Sequence, residues 1–373
     1  MISHNKNELT VAWPDGFSHR FHPLWLRERS FEESNKDATT GHRVVEVASL
    51  PVDLALEEAR ERNGSVQLAF SDGHRCSYRL DDLRNEAKHL LPDDLVGAKH
   101  LWDATLENWP RHEASALIED DRALLAMTDD LARLGFALIG GLGTGGDDLA
   151  RLTGRIGPLR ATNWGTIADV KNIAEAYDDL SMTGRALEPH VDNPYRLPGP
   201  GYIFLHCLES TAQGGESFIV DGFHVARRVQ ARDPDSFDTL TRTQVGFHYA
   251  DADAILDHCG PLIELGPDGG LHRVRFHNRA EQVPAYSPEQ LTAYYEARRI
   301  MAEEVWSPDN TLRFSLKPGE AYVVDNYRLF HGRTEIQLAT GNRHLRQCYM
   351  DRDMVSSRQK VLRRALNVTN KDY

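Results

Sequence analysis

Cysteine is scarce in this chain and follows no recognisable pattern. Only four of the 373 residues are cysteine, and they are Cys76, Cys207, Cys259 and Cys348. No two of them have the C-x-x-C spacing of a zinc knuckle, and their scatter argues against a disulfide framework. We therefore expect buried free thiols.

Long apolar runs and an excess of positive charge are also absent. The segment from Met1 to Leu9 is polar, and no window approaches the roughly 18 apolar residues that cross a bilayer. Acidic residues outnumber basic ones by 56 to 43, which argues against nucleic acid and anionic membranes as partners. With 40% hydrophobic residues the chain can bury a large core. These observations favour a cytoplasmic enzyme.

Residues 1–95 predict a small α+β domain. Alternating apolar residues at 9–13 and at 66–70 each lead into an Asp-Gly turn, a pattern that is typical of a β-hairpin. Residues 53–62 and 81–89 are predicted to form short helices. A Leu-Pro-Asp-Asp run just before the end of this domain is expected to lie in the linker.

Residues 96–373 predict a mainly β domain, a double-stranded β-helix or jelly roll with helices packed outside. Apolar residues at helical spacing over 118–134 precede a predicted buried strand at 135–139, and a second helix is expected at 294–305. Many short β-like runs that end at Gly or Pro are typical of such a double-sheet fold. These runs lie at 202–208, 216–220, 244–249, 271–276 and 320–324.

The strongest candidate for chemistry is the run His190-Val191-Asp192, which His331 follows far along the chain. Two histidines and one carboxylate are the ligand set of a facial iron(II) site, which leaves three metal positions open. Residues i and i+2 of a strand point to the same side, so His190 and Asp192 can bind one ion if this stretch is extended. The prolines at 189 and 194 disfavour a helix there.

Arg343 is the candidate for a cosubstrate anchor. A buried guanidinium is suited to bind a dicarboxylate bidentately. Two non-catalytic alternatives remain open from the metal ligands alone: a metal-binding β-barrel without oxygenase activity, and a small-molecule sensor on the same fold. Arg343 argues against both, because a bare metal sensor has no need of a dicarboxylate anchor.

Longer motifs give the chain a resemblance to a known family. They are WLR at 25–27, HVDNPYR at 190–196, LHCL at 205–208, GGES at 214–217, VDGF at 220–223 and DNYRLFHGR at 325–333. These motifs resemble the γ-butyrobetaine hydroxylase group of the taurine-dioxygenase superfamily, whose members use iron(II), 2-oxoglutarate and O2. The resemblance implies a double-stranded β-helix catalytic domain, a small N-terminal domain and a homodimer.

The resemblance also implies roles for individual residues in cofactor binding. The two histidines and the aspartate named above match the iron ligands. Arg343 matches the arginine that binds the distal carboxylate of 2-oxoglutarate. Ser217 matches a hydroxyl beside the same carboxylate and Leu205 matches a residue that lines its pocket, although both are also compatible with strand positions that make no contact.

Substrate recognition is predicted from the same resemblance. A trimethylammonium group has no N–H to donate, so proteins bind it by cation–π attraction in an aromatic cage. Trp164, Tyr177 and Tyr349 match the cage residues, and Asp178 is either a countercharge or an exposed loop carboxylate. The remaining predicted substrate contacts are Asn193, Tyr195, His277 and Asn278.

Two departures from the family pattern refine these expectations. Relatives carry zinc-binding cysteines after the WLR motif, but residues 29–42 contain none. Only His74 remains at a position that resembles the fourth zinc ligand, so we expect no structural zinc. Relatives carry an Asn-Asn pair where this chain has His277-Asn278, and Ala174 replaces an asparagine that serves a carboxylate. These changes favour a phosphonate headgroup, and the predicted substrate is 2-trimethylaminoethylphosphonate, hydroxylated next to phosphorus. The alternatives are γ-butyrobetaine hydroxylation to carnitine, and then trimethyllysine hydroxylation.

Overall fold

The computed structural model describes residues 1–30, 35–37, 39–88, 95–145, 147–171 and 183–368. Its internal contacts divide the chain into two compact units, Met1–Leu91 and Pro92–Tyr373. The sequence pattern places this division at residue 95. Within the described ranges, no helix is both long enough and apolar enough to cross a membrane.

The first unit consists of two small antiparallel sheets and two helices. Its elements are β1 (Ile2–Asn5), β2 (Glu8–Ala12), β3 (Ser18–Phe21), α1 (Pro23–Glu28), β4 (Leu56–Arg62), β5 (Ser65–Phe70), β6 (Arg75–Arg79) and α2 (Leu80–Lys88). One sheet has the order β1-β2-β3 and the other β4-β5-β6. Leu9 and Val11 of one sheet and Val66 and Phe70 of the other share a core with Leu26 of α1. Both predicted hairpins and the helix predicted at 81–89 are confirmed.

The helix predicted for residues 53–62 is wrong. Leu56–Arg62 is strand β4, which pairs antiparallel with β5. The Glu, Ala and Arg residues of this segment favour a helix, but helix propensities differ by less than about 0.7 kcal/mol per residue among ordinary residues. The backbone pairing with β5 and the burial of Leu56, which is 1% exposed, outweigh that preference.

The second unit contains the jelly roll. Its strands are β7 (Arg111–Glu113), β8 (Phe136–Gly140), β9 (Ile167–Lys171), β10 (Leu187–His190), β11 (Tyr202–Ser210), β12 (Gln213–Gly214), β13 (Ser217–Asp221), β14 (Val245–Ala250), β15 (Ile255–Gly260), β16 (Ile263–Leu265), β17 (Leu271–Val274), β18 (Glu281–Gln282), β19 (Thr311–Phe314), β20 (Ala321–Asp325), β21 (Leu329–Arg333), β22 (Ile336–Gln337) and β23 (Arg343–Met350). The larger sheet has the order β7-β8-β20-β11-β23-β9, and the smaller one has the order β10-β21-β13-β19.

These two sheets face each other. Leu205 and Val324 of the larger sheet share a buried cluster with Ile219 and Leu312 of the smaller one. Because side chains alternate along a strand, Phe204 points the opposite way, into a cluster formed with helices. The predicted double-stranded β-helix is therefore confirmed, and the space between its sheets is where the functional residues lie.

Helices cover the outer faces of both sheets. They are α3 (Ala114–Glu119), α4 (Asp121–Leu134), α5 (Asp148–Ile156), α6 (Gly222–Arg232), α7 (Pro234–Arg242), α8 (Pro288–Trp306) and α9 (Arg352–Ala365). Leu131 of α4 and Leu362 of α9 pack on the larger sheet. Val225 of α6 and Met301 of α8 belong to the cluster that covers the smaller one.

Two helix boundaries differ from the predicted ones because of capping. The segment predicted as one helix over 118–134 is divided at Asp120, whose side chain accepts a hydrogen bond from the backbone N–H of Arg122 and caps α4. The helix predicted at 294–305 begins earlier, because Ser287 and Gln290 form a capping box at its N-terminus.

Candidate active site

Two neighbouring strands of the smaller sheet bring the two histidines together. His190, the last residue of β10, lies opposite His331 of β21 in the antiparallel register. Opposite residues of an antiparallel pair share one face, and the two imidazole centroids lie 4.5 Å apart. The Nδ1–H of His190 donates a hydrogen bond of 2.7 Å to the carbonyl of Glu188, which leaves the Nε2 lone pair for a metal.

Asp192 lies just past the end of β10 and completes the ligand group. The sequence predicts an extended stretch through this residue, whereas the strand ends at His190. The buried Asn326 holds the backbone of Asp192 instead: its amide donates to the Asp192 carbonyl at 2.9 Å and accepts from the Asp192 N–H at 2.7 Å. Asp192 Oδ1 lies 3.2 Å from His190 Nε2 and 3.7 Å from His331 Nε2. All three ligand atoms lie within 4.8 Å of one another.

Burial and mutual charge hold this group in the protonation state that a metal requires. Burial opposes ionisation of Asp192, but the charges of His331 and His190 outweigh it and hold the pKa of Asp192 well below its usual range. Burial, followed by the charge of His190, lowers the pKa of His331 to about 4. At neutral pH the site therefore presents a carboxylate and a neutral His331 imidazole. This donor set fits iron(II) with open positions for further ligands.

A buried arginine lies on the inner face of the larger sheet. Arg343, the first residue of β23, is 7% exposed, and its guanidinium makes no hydrogen bond or ion pair among the described residues. Burial lowers the pKa of its guanidinium, while Tyr322 and Cys207 act in the opposite direction. Burial raises the pKa of the Tyr322 hydroxyl, and the charge of Arg343 and a hydrogen bond with Ser217 oppose that shift. One guanidinium and two hydroxyl groups thus converge, as a carboxylate ligand requires.

A cavity of about 500 Å³ opens onto His190 and Asp192. Four tyrosine and tryptophan rings line it, those of Trp164, Tyr195, Tyr249 and Tyr349. The Tyr249 ring stacks on that of Tyr195 with a centroid distance of 5.0 Å and meets that of Trp164 edge-on at 5.5 Å. An aromatic wall of this kind can bind a cation that has no hydrogen to donate.

Polar groups line the same cavity next to the metal ligands. His277 packs its ring edge-on against that of His190 at 5.3 Å, and burial and the charge of His190 lower its pKa to about 3. Its Nδ1 accepts from the backbone N–H of Ala280 at 3.1 Å, so the proton of the neutral ring is on Nε2. Arg279 is exposed in this cavity and has no hydrogen bond or ion pair to any residue that the structure describes.

Of the other predicted site residues, some line the cavity, one is exposed and some lie outside the described residues. Asn193 is buried in the cavity wall, where its Oδ1 accepts from the Tyr195 hydroxyl at 2.6 Å. Tyr349 also lines the cavity, but its hydroxyl donates to Asp192 Oδ2 at 2.8 Å. Asn278 is exposed. The predicted roles of residues 177 and 178, a tyrosine and an aspartate, lie outside the described residues and stay predictions, as does the role of the alanine at 174.

Five residues of the site were not found by sequence reasoning: Tyr249, Arg279, Tyr322, Asn326 and Gln347. One of them had a usable signal, because Gln347 and Tyr349 follow Arg343 at even spacing and so share its face of β23. Leu205 lies opposite both Tyr322 and Gln347 in the sheet register, between the arginine pocket and the metal ligands. The other four depend on pairings between distant segments that local sequence does not reveal.

Comparison with known proteins agrees with this geometry. Residues 107–349 match the model of the taurine catabolism dioxygenase TauD, TfdA family, and residues 1–84 match the model described as gamma-butyrobetaine hydroxylase-like, N-terminal. The gamma-butyrobetaine dioxygenase of Pseudomonas sp. (strain AK-1) is 30% identical over 95% of this chain and 94% of its own. The mitochondrial trimethyllysine dioxygenase of Gallus gallus is 28% identical over 92% and 83%. The crystal structure of asparagine oxygenase has a TM-score of 0.51 at 16% identity, over 65% of this chain and 93% of that one.

The jelly roll and its ligand group define an iron(II)- and 2-oxoglutarate-dependent dioxygenase. The chain belongs to the TauD, TfdA family and carries a γ-butyrobetaine hydroxylase-like N-terminal unit. This assignment excludes the non-catalytic metal barrel and the sensor. Iron with 2-oxoglutarate supplies the O2-dependent oxidation when bound. His190, Asp192 and His331 would hold the metal.

Proposed function

We propose that this dioxygenase hydroxylates 2-trimethylaminoethylphosphonate, a small zwitterion with a trimethylammonium group at one end and a phosphonate at the other. The observation that carries the choice of headgroup is Arg279, an exposed cation in the cavity without a partner among the described residues. A phosphonate offers up to two negative charges and three acceptor oxygens, whereas a carboxylate offers one charge and two oxygens. The phosphonate therefore gains more from a guanidinium.

The positive charge around the site supports an anion in addition to 2-oxoglutarate. Burial, and then the charges of Arg343 and Arg279, lower the pKa of Arg333 to about 10, so these three guanidinium groups are close enough to interact. Arg333 donates to the backbone carbonyls of Arg185 and Thr183. With Arg343 assigned to the cosubstrate, Arg279 is left to bind the substrate headgroup.

The aromatic wall supports the cationic end of the substrate. The relatives that align over most of this chain are named for γ-butyrobetaine and trimethyllysine, and both compounds carry a trimethylammonium group. Trp164, Tyr195 and Tyr249 present ring faces and edges, and the Asp251 carboxylate beside them accepts a hydrogen bond of 2.6 Å from the Tyr249 hydroxyl. Such rings bind a quaternary ammonium by cation–π attraction, which needs no hydrogen from the cation.

The position of the headgroup donors supports oxidation at the carbon next to phosphorus. The His277 ring lies against the metal ligand His190, and Arg279 follows His277 by two residues. A headgroup bound there places its adjacent carbon nearest the metal position. His277 and Asn193 also offer donors that suit a carboxylate, which keeps γ-butyrobetaine as the second candidate substrate.

The deciding measurement is succinate formation by the iron-loaded enzyme with a panel of trimethylammonium phosphonates and carboxylates. We expect kcat/KM to be higher for 2-trimethylaminoethylphosphonate than for γ-butyrobetaine, since this ratio measures differential binding of the transition state. A ratio well below one would transfer the proposal to γ-butyrobetaine. Failure of every trimethylammonium compound to stimulate succinate formation would refute the substrate class itself.

A substitution at Arg279 tests the headgroup contact directly. Arg279→Met is expected to lower kcat/KM for the phosphonate. The corresponding rise in the free energy of activation is about 1.5–3 kcal/mol, the scale of a hydrogen bond to a charged group. The loss for γ-butyrobetaine should be smaller. Arg242→Met is the matched control, because Arg242 lies on the surface of α7 and pairs with Asp238. Equal losses for both substrates in Arg279→Met would contradict a headgroup role.

A further inference from the structure

We propose that Gln347 and Tyr349 are positioning residues that hold Asp192 by its Oδ2 atom, so that Oδ1 alone faces the metal position between the two histidines. This inference concerns the iron site and is independent of the identity of the substrate. It assigns to Gln347 a role that the sequence does not suggest, and it adds to the predicted cage role of Tyr349 a contact with a metal ligand.

Three hydrogen bonds form a closed triangle around Oδ2. The Gln347 side-chain amide donates from Nε2 to Asp192 Oδ2 at 2.6 Å and to the Tyr349 hydroxyl at 2.6 Å. The Tyr349 hydroxyl in turn donates to the same Oδ2 at 2.8 Å. Both hydrogens of the amide and the single hydrogen of the hydroxyl are therefore used, and each donor points toward the carboxylate or toward the other donor.

The chemistry of the partners determines the orientation of the Gln347 amide. A carboxylate only accepts hydrogen bonds, so an amide with its oxygen toward Asp192 would bring two acceptors together. The amide nitrogen must therefore face Oδ2. The Tyr349 hydroxyl accepts from that nitrogen, which leaves its own hydrogen for the carboxylate.

The opposite oxygen of Asp192 has the surroundings of a metal ligand. Oδ1 is the carboxylate atom that lies near the Nε2 atoms of both histidines, at 3.2 Å and 3.7 Å. The terminal torsion of an aspartate is broad, so an unrestrained carboxylate can rotate and exchange its two oxygens. A second carboxylate oxygen on the metal would occupy one of the positions that 2-oxoglutarate and O2 need. Donors at Oδ2 oppose that rotation.

The backbone and the side chain of Asp192 are restrained by different elements. Asn326, which follows β20, fixes the backbone of Asp192 through two hydrogen bonds. Gln347 and Tyr349 belong to β23, the strand that carries Arg343 on the same inner face. Four residues of strand span about 13 Å, so one rigid strand sets the separation between the cosubstrate anchor and the residue that orients the metal ligand.

Metal affinity tests this role without turnover. We would titrate Co(II) into the metal-free protein in the absence of 2-oxoglutarate and substrate, and record both the dissociation constant and the visible d–d spectrum. Gln347→Leu and Tyr349→Phe are each expected to weaken Co(II) binding about 10- to 100-fold, the usual effect of removing a hydrogen-bond partner of a metal ligand. Because the three groups form one triangle, the double variant should lose less than the product of the single losses.

Tyr286→Phe is the matched control, because it also removes one tyrosine hydroxyl, but that hydroxyl donates to the backbone carbonyl of Gln244 away from the metal ligands. It should leave the Co(II) dissociation constant unchanged. Thermal unfolding of each metal-free variant separates loss of the site from loss of the fold, and Tyr349→Phe keeps the packed ring in place. Wild-type Co(II) affinity and spectrum in both Gln347→Leu and Tyr349→Phe would overturn the proposal, as would an equal loss in Tyr286→Phe.

Discussion

Single residues of the second unit show that buried arginines serve two different purposes. Arg328 is buried even more deeply than Arg343, and its guanidinium donates to both oxygens of Asp221, at 3.1 Å and 2.7 Å. Arg343 has no such partner among the described residues. A buried charge without a counter-charge is costly. We therefore predict that a bound dicarboxylate completes the surroundings of Arg343, whereas those of Arg328 are complete in the fold itself.

Removal of the Arg343 guanidinium should act on the cosubstrate. Arg343→Ala is expected to weaken 2-oxoglutarate binding by about 2–4 kcal/mol, the scale for truncation of one partner of a buried charge pair. Arg346→Ala is the control on the same strand, since Arg346 points to the other face and pairs with Asp169. Isothermal titration calorimetry measures the dissociation constant of 2-oxoglutarate for both variants. A loss of affinity for the substrate alone, with unchanged affinity for 2-oxoglutarate, would instead assign Arg343 to the headgroup site.

Tyr249 should contribute to recognition of the quaternary ammonium. Tyr249→Leu removes the ring between Tyr195 and Trp164 and is expected to cost about 0.5–2 kcal/mol in substrate binding, the scale of one cation–π contact. The loss should be greater for trimethylated substrates than for their primary-amine analogues. Tyr295→Leu is the control, because Tyr295 is 56% exposed on α8. Equal losses for both kinds of amine would show that Tyr249 has a packing role only.

At the scale of elements, the position of each cysteine on its strand determines how deeply its thiol is buried. Cys207 of β11 belongs to the cluster between the two sheets, and Cys348 of β23 belongs to the cluster under the helices. Burial raises the pKa of Cys207 to about 11 and that of Cys348 to about 12. Cys259 on β15 is exposed, whereas Cys76 of the first unit is buried. The sequence expectation of buried thiols is thus confirmed for three of the four cysteines.

Alkylation should distinguish the exposed Cys259 from the buried cysteines. The thiolate is the reactive form, and a raised pKa keeps Cys207 and Cys348 as neutral thiols at pH 8. Iodoacetamide at pH 8 is therefore expected to modify Cys259 first in the native protein and all four cysteines after denaturation. Peptide mass spectrometry identifies the modified sites, and Cys259→Ser should abolish the fast reaction. Rapid native labelling of Cys207 would contradict the burial of β11.

At the scale of the whole molecule, each unit has a core of its own, and the metal ligands belong to only one of them. The core of the first unit contains side chains from Leu9 to Leu83. The ligand group of His190, Asp192 and His331 belongs to the second unit, and it is the one cluster of potential metal ligands found in the described ranges. Ligand binding should therefore stabilise the two units unequally.

Hydrogen exchange followed by mass spectrometry can resolve this difference. Co(II) and 2-oxoglutarate at about 100 times their dissociation constants stabilise a folded state by about 2.7 kcal/mol per ligand. Protection is expected to rise in peptides of the second unit and to stay constant in those of the first, for which we predict no structural zinc. His331→Ala should remove the effect of the metal. Increased protection of residues 1–84 on addition of metal would refute that zinc prediction.

The ligand set, the hairpins and the fold class could be predicted from the sequence, whereas the assignment of Arg343 to the cosubstrate stays a prediction. These properties are local or chemical. Residues two apart in an extended stretch face the same side, which predicts that His190 and Asp192 can share a metal. Asp-Gly turns mark the ends of hairpin strands. The resemblance carried by motifs such as HVDNPYR added the cofactor. None of these inferences required knowledge of which strand lies beside which.

The residues that complete the site are brought together by contacts between distant parts of the chain. Asn326 reaches Asp192 across 134 positions of the chain, and Gln347 reaches it across 155. The Tyr249 ring joins the cavity wall because β14 lies beside it, and β4 is a strand because β5 pairs with it. The physical reason is that hydrogen-bond register and burial act between distant segments, and together they outweigh local preferences of less than about 0.7 kcal/mol per residue.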